Sequence, residues 1–460
     1  MSDRLPVDLI FDIGKTNKKL VVFDKQYTVV HQDAVSFSEI ADDDGYLGDD
    51  LPAINTWMQD ALRQILADDR FKVRGINVSG YGASMVHLDE KGHLITPFYN
   101  YTKPLPDDFY DRFFERFGDR RDFELAMASP LSGMLNSGFQ LFYLQEYKAQ
   151  LAAKVHHSLH FPQYLSYQIS GKMVSDYTSL GCHTGLWDFA TAGYHPWLNA
   201  CELLPQLAPI VRTDHHDRLE IQGQTLSVGV GVHDSSAALL PYLRISNQPF
   251  VLLSTGTWSV SLNPFNNEQI TDQELTNGCL CYMNLQGQSI KASRVFLGKS
   301  IEYQVAKIAA HFNKDPELFK TLRFDPSLPI RASQQLVFHY DHLDPELFGY
   351  KNGAAQDLSQ FHSFEEAYQL LMDELTNIQV SSLRSCLGKT PIERVYVDGG
   401  FSSNHHFTQM LANKLEGFEV WSSSLAAGSS LGAALLLNDD LTGTQKLPVD
   451  IVRHESVAVG

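Results

Sequence analysis

The chain has 460 residues, 43% hydrophobic and 20% charged, enough core-forming material for two or three packed domains. Its formal net charge of −18, with no basic run longer than Lys18-Lys19, argues against a nucleic-acid backbone or an anionic membrane as partner. Five scattered cysteines (Cys182, Cys201, Cys279, Cys281, Cys386) suit a reducing compartment, and neither a signal-peptide core nor an apolar run of ~18 residues is present, so a cytoplasmic globular protein is expected.

The first element is an apolar run from Val7 to Ile13, interrupted by Asp8 and Asp12 and followed by Gly14-Lys15-Thr16. These three residues match the end of a phosphate-binding P-loop, G-x-x-x-x-G-K-[ST]. The loop's first glycine would fall on Leu9, inside the strand, so the P-loop reading fails. A second apolar run, Leu20 to Phe23, makes the unit a β-hairpin with a polar turn. The acidic stretch ADDDGYLGDDLP then leads into a helical pattern from Ile54 to Leu66, with Ile54, Trp57, Met58, Leu62 and Ile65 on one face. Counted from Asp43, the closing acid of a calcium loop would fall on Ile54, so the stretch reads as a solvated loop.

GINVSGYGASMVHL reads as a strand, a turn and a strand, with Gly80 and Gly82 permitting close backbone approach to a ligand. Residues 107–150 are mostly helical in pattern, and Ser170-Gly171-Lys172 marks a turn. TLSVGVGVHDSSAALLPYL supplies a small-residue strand, a loop through His233-Asp234 and a helix starting near Ser235 or Ser236. The opening pattern then returns in PFVLLSTGTWSVSLNPF, again strand, polar turn and alternating strand. Such a repeat predicts an internally duplicated α/β chain, divided near residues 243–248. In the second half, helices are expected at 297–312, 364–386 and 406–415, strands at RVYVDGG and FEVW, and a small-residue helix at AAGSSLGAALLL.

Several side chains fit phosphate chemistry, each with a structural alternative. Asp12 could associate with Mg²⁺ beside a phosphate or cap the turn it precedes. Lys15, Lys18 and Lys19 could steer an anion or sit in solvent. Asp234 could take a proton from an attacking hydroxyl or act as a helix N-cap, and His233 beside it reads first as a structural hydrogen-bonding residue. Gly399-Gly400 follows a strand, where backbone could lie against a nucleotide or simply turn. Cys279-x-Cys281 lacks a second close ligand pair for zinc and reads as alternation along a strand.

Four segments in fixed order, FDIGKTNKK, GVGVHDSSAA, LLSTGTWSVSL and VYVDGGFSSNHHFTQMLANKL followed by AAGSSLGAAL, resemble the FGGY family of carbohydrate kinases over nearly the whole chain. Within it, His233-Asp234, the run Ser254 to Ser259 and FPQYLSYQISGKMVSDYTS look most like the L-rhamnulose and L-fuculose kinases. The resemblance implies an α/β fold of two actin-like (ribonuclease H-like) domains with an interdomain active-site cleft. Residues 1–245 would form the N-terminal sugar and phosphate-hairpin domain, and 246–460 the C-terminal nucleotide-binding domain. It implies ATP as co-substrate with Mg²⁺. Asp12 would be the metal-associated acid, with Gly14, Lys15, Thr16, Asn17, Lys18 and Thr257 gripping phosphates. Gly399 and Gly400 would wall the nucleotide site, Gly82 and His233 contact the sugar, and Asp234 act as base.

The chain departs from the family pattern in YNYTKP, with Asn100 and Tyr101 where relatives show an Arg-Asp pair, in Lys15 for a small residue, and in Phe401 for a third glycine. ASRVFLGKSIEYQ aligns poorly, which leaves Arg294 and Glu302 unassigned. The expected reaction is transfer of the γ-phosphate to a ketose, foremost a 6-deoxy-ketohexose. A kinase for xylulose, ribulose or glycerol is the first alternative, and an actin-like ATPase scaffold the second. A homodimer is left open.

Overall fold

A computed structural model describes residues 4–328, 333–341, 343–353, 357–423, 428–438 and 446–457. The chain packs as two compact units. The first comprises Met1–Ile245, Cys281–Ser289 and Ser429–Pro448; the second comprises Ser246–Leu280, Ile290–Gly428 and Val449–Gly460. Segments 281–289 and 429–448, expected within the second domain, thus pack with the first.

In the first unit, β1 (Leu5–Ile13), β2 (Lys18–Asp24) and β3 (Val29–Val35) form an antiparallel meander. Val7, Leu9, Ile10, Phe11 and Ile13 are fully buried, because β1 is central and covered on both faces. Helix α1 (Leu51–Ala67) lays Ile54, Met58, Leu62 and Ile65 into the core, and Trp57 meets Phe11 edge-on at 5.7 Å. It starts a turn earlier than its apolar periodicity indicates, because Asp50 caps the Ala53 N–H and Pro52 occupies the first turn.

Strand β4 (Phe71–Gly80) pairs in parallel with β1, and β5 (Met85–Leu88) follows it. Residues 107–150 hold α2 (Phe109–Phe117) and α3 (Phe139–Tyr147), whose Phe109, Phe113, Phe139 and Phe142 build an aromatic core with Phe123 and Trp197. Strand β6 (His157–His160) pairs with β5 and runs into α4 (Phe161–Ser170), which stops at Gly171 in the left-handed conformation. Strands β7 (His216–Ile221) and β8 (Gln224–Gly229) extend the sheet beyond β4, giving the order β7-β8-β4-β1-β2-β3. The short β9 (Val232–His233) pairs with Ser79 and Gly80 at the end of β4, and α5 (Asp234–Ile245) begins at the next residue. The helix therefore opens on Asp234 itself rather than on the serines after it.

In the second unit, β10 (Phe250–Thr255) and β11 (Ser259–Asn263) form the returning hairpin. The remaining strands of its sheet are β12 (Cys279–Met283), β13 (Ser289–Val295), β14 (Arg394–Gly399), β15 (Glu419–Ser423) and β16 (Ile451–His454), in the order β12-β13-β11-β10-β14-β15-β16, although residues 281–283 of β12 and 289 of β13 belong to the first unit. Helices α6 (Leu297–Phe312), α7 (Phe364–Ser385) and α8 (His405–Lys414) supply much of its core. Cys279 and Cys281 are buried on β12. Both sheets share one central plan, a first strand antiparallel to the second and parallel to a later strand on its other side; the place that β3 takes beside β2 is taken in the second sheet by its fourth strand, β13.

Helix α9 (Gly428–Leu435) shows why its sequence is small-residue rich, although residues 426–427 of the expected helix lie outside the described residues. Gly432 lies against the Ala237 carbonyl of α5, where any side chain would collide, and Asn77 of β4 donates to the Ala433 carbonyl at 2.9 Å. Close backbone packing of this kind excludes large residues. Among the described residues no helix is long and apolar enough to cross a membrane.

Candidate active site

The parallel strands of the first unit deliver its candidate residues to one end of the sheet. Asp12 closes β1, Gly82 lies just beyond β4, His233 ends β9, and Asp234 opens α5. Carboxyl ends of parallel strands are where open α/β sheets place ligands, because loops and helix N-termini converge there.

Asp12 is buried, and its Oδ2 accepts hydrogen bonds from the Ser429 and Ser430 hydroxyls of α9, both at 2.8 Å. Carboxylate and hydroxyl oxygens together form a hard donor set that suits Mg²⁺ and its water shell. Asp234 receives the Ser235 N–H at 2.6 Å and the Ser235 hydroxyl at 3.2 Å, both on Oδ1. Its side chain keeps 30% of its surface accessible, so a ligand can reach it. Loss of hydration first, and the nearby charge of Asp12 second, push its pKa up to about 7. A carboxylate tuned near the working pH is matched to proton transfer. His233 is the opposite case, held neutral by burial first and His160 second, with its pKa pushed down to about 3.

A base must be ionised to accept a proton. If Asp234 is that base, kcat/KM should fall about tenfold per pH unit below pH ~7 and level off above it. A profile flat from pH ~5 to ~8 would place the proton elsewhere.

Gly82 is forced by crowding: a Cβ there would sit 2.9 Å from the Cys182 sulfur and 3.1 Å from the His233 ring. Cys182, His183 and Tyr282 gather around it. The Cys182 sulfur lies 3.1 Å from His183 Nε2 and 3.4 Å from His233 Nε2, and the Tyr282 ring lies 5.7 Å and 5.5 Å from the two imidazoles. These three residues were not anticipated from sequence. SLGCHTG carries no periodic signal, and Tyr282 belongs to the returning segment 281–289.

The β1–β2 turn is closed by the Gly14 N–H donating to the Asn17 carbonyl at 3.0 Å, with Thr16 and Asn17 exposed at its tip. Lys15 and Lys18 point away from solvent toward Asp49, at 2.8 and 2.7 Å. Lys15 also pairs with Glu39 at 3.0 Å, and the Tyr81 hydroxyl donates to Asp49 at 2.7 Å. Burial works against the charge of Asp49, but Lys15 and Lys18 outweigh it and hold its pKa below the usual carboxylate range. The turn thus offers backbone and the side chains of Thr16 and Asn17, while both lysines carry ion pairs. At the YNYTKP departure, Asn100 donates to the Leu47 carbonyl at 2.8 Å, and Tyr101 meets Tyr81 edge-on at 5.9 Å.

In the second unit, the β10–β11 turn is closed by Gly256 N–H to the Trp258 carbonyl at 2.7 Å, and Gly298 of α6 donates to the Thr257 carbonyl at 3.1 Å. Gly399 sits at φ +82°, with the Thr255 carbonyl where a Cβ would be, so only glycine fits. The Gly400 N–H donates to that carbonyl at 2.8 Å, and the Thr255 hydroxyl bridges the Asp398 carbonyl and the Phe401 N–H. Gly399, Gly400 and Thr257 therefore lie on two turns at one end of this sheet, joined through Thr255. Arg294 stacks over Trp258 at 5.5 Å, beside Thr257, and Glu302 pairs with Lys299 at 3.2 Å.

Residues 7–225 match the N-terminal domain of the FGGY family of carbohydrate kinases. Over 438 residues the chain is 22% identical to the L-fuculokinase of Escherichia coli (strain K12), covering 89% of this chain and 87% of that one. It is 21% identical over 436 residues to the rhamnulokinase of Mannheimia succiniciproducens, covering 88% and 83%. Its fold is similar to the crystal structure of a carbohydrate kinase from Novosphingobium aromaticivorans, with a TM-score of 0.76 at 21% identity over 98% of this chain and 95% of the other. Its two sheet-containing units have the actin-like, ribonuclease H-like fold of such kinases.

Proposed function

We propose that the chain is an ATP-dependent sugar kinase of the FGGY family of carbohydrate kinases and that its acceptor is a 6-deoxy-ketohexose, L-rhamnulose or L-fuculose, in carbohydrate catabolism. Two relatives named for these sugars, each aligned along most of the chain, support the acceptor class. The observation that carries the chemistry is Asp234, an accessible carboxylate at a helix N-terminus with its pKa near 7.

Phosphoryl transfer needs a hydroxyl held in line with the γ-phosphate and a group to take its proton as the new bond forms. In this reading Asp234 takes the proton, and His233 with the backbone at Gly82, packed on Cys182 and His233, forms the adjoining wall for the sugar. Within the first unit, the turn from Gly14 to Asn17 would meet phosphate with its backbone N–H groups; within the second, the turns that carry Thr257, Gly399 and Gly400 would meet the nucleotide. Lys18 braces its turn through Asp49, and Lys15 does the same with Glu39 as a second anchor. Asp12, with Ser429 and Ser430, would hold Mg²⁺, which when bound neutralises phosphate charge. The proposed setting is the cytoplasm, with a homodimer compatible with the reading.

A panel of acceptors tests the proposal: kcat/KM for L-rhamnulose, L-fuculose, D- and L-xylulose, D- and L-ribulose and glycerol under saturating MgATP. A pocket shaped for a methyl terminus should favour a 6-deoxy sugar by about tenfold or more, the range available to apolar discrimination. A higher value for a pentulose or for glycerol would reassign the acceptor while leaving the kinase intact.

A further inference from the structure

The buried side chains around Gly82 form a continuous hydrogen-bonded line, and its ends fix the direction of every hydrogen in it. His183 Nδ1 lies 3.0 Å from the Leu135 carbonyl, His183 Nε2 lies 3.1 Å from the Cys182 sulfur, and that sulfur lies 3.4 Å from His233 Nε2. His233 Nε2 is also 3.3 Å from Asp234 Oδ1, and His233 Nδ1 is 3.1 Å from the Ser236 hydroxyl. A carbonyl only accepts, so a neutral His183 carries its hydrogen on Nδ1 and leaves Nε2 bare. The hydrogen between His183 and Cys182 then belongs to the thiol, and the sulfur presents lone pairs to His233. A bare Nε2 on His233 would face both that sulfur and the Asp234 carboxylate, lone pair to lone pair. His233 therefore carries its hydrogen on Nε2 and accepts from Ser236 on Nδ1.

Three further observations fit this relay. Gly82 leaves room for it, since a Cβ there would press on both the sulfur and the His233 ring. His183 sits at φ +44°, a left-handed conformation that non-glycine residues keep only when the surroundings impose it. The atoms form a line and not a cage: among the described residues, the one group of three such ligands converging within 4.8 Å is Asp42, Asp43 and Asp44. Those carboxylates are already engaged by Lys103 and Lys148.

We infer that Cys182 and His183 are positioning residues for phosphoryl transfer, locking His233 in the Nε2–H form so that it holds Oδ1 of Asp234 and leaves Oδ2 to the acceptor hydroxyl. Among the described residues, both Ser235 hydrogen bonds to this carboxylate fall on Oδ1, and His233 Nε2 approaches the same oxygen at 3.3 Å. The inference rests on the reading of Asp234 as base.

The test uses the full-length protein labelled with ¹⁵N. Long-range ¹H–¹⁵N spectra of the histidine rings should show His233 as the Nε2–H tautomer in the native protein. Cys182→Ala should lose that fixed tautomer and lower kcat by about tenfold, with a smaller change in acceptor KM, because alignment and not binding is disturbed. Cys182→Ser keeps a donor toward His183 and an acceptor for His233, so it should recover most of the loss. A native Nδ1–H tautomer, native turnover in Cys182→Ala, or a serine variant no better than alanine would each overturn the inference. Should the alanine variant fail to fold, the native tautomer and the serine variant still decide. Failure of the base reading looks different: Asp234→Asn would turn over near normally with the His233 tautomer unchanged.

Discussion

Asp234→Asn is expected to leave ATP binding nearly unchanged and to lower kcat by about 10²–10⁴, the range for loss of a general base. The substitution preserves size and can still meet the Ser235 N–H through its amide oxygen, so the first turn of α5 should be little disturbed. What it removes is a carboxylate able to accept the acceptor's proton, in a site where burial and Asp12 have brought its pKa to about 7. Steady-state kinetics with separate titration of ATP and sugar would separate the effects. A large rise in KM for ATP with kcat preserved would make Asp234 a nucleotide-site residue instead.

Asp49→Ala is expected to destabilise the first unit by about 3–5 kcal/mol, the cost of removing one partner from a buried ion pair. The ammonium of Lys18 keeps only 3% of its side-chain surface accessible and that of Lys15 19%, so neither can regain hydration without moving. Lys18 would retain the Lys15 carbonyl at 2.9 Å, which accepts a hydrogen bond but carries no full charge. Tyr81 would lose its acceptor at the same time. Denaturant unfolding should show the midpoint falling with an unchanged slope. Adding Lys18→Met should restore much of the loss, because an apolar pair of similar volume avoids the stranded charge. A loss below about 1 kcal/mol would mean that the cluster is hydrated and the turn is held by its backbone alone.

Both predictions come from positions where sequence patterning reached different depths. The β1–β2 hairpin was legible because Val7 to Ile13 and Leu20 to Phe23 are apolar runs around a polar turn. Helix α6 was legible from its 3.6-residue periodicity, and the returning hairpin from its repeated form. Asp234 was legible by position, in a loop at the head of a small-residue helix, but its pKa depends on desolvation and on Asp12, 222 positions earlier in sequence. The bonds from Ser429 and Ser430 to Asp12 span 417 and 418 residues, a separation that no local pattern encodes.

The acidic stretch was the least legible part. Asp42, Asp43, Asp44 and Asp49 suggest solvent, yet Asp42 and Asp44 close on Lys103 at 2.7 and 2.6 Å, and Asp49 closes on the hairpin lysines. Whether an acid faces water or a buried ammonium depends on which distant lysine the fold brings to it. The lysines of the turn, expected to meet phosphate directly, illustrate the same point from the other side. The segments 281–289 and 429–448 also eluded reading, since a chain that returns to an earlier unit carries no compositional mark of doing so.

Transfer of phosphate from ATP to a sugar hydroxyl is tested by ADP release from the purified protein with MgATP, with and without a 6-deoxy-ketohexose. L-rhamnulose or L-fuculose is expected to raise the rate at least about tenfold, equivalent to about 1.4 kcal/mol of barrier. Release indifferent to every sugar in the acceptor panel would contradict it.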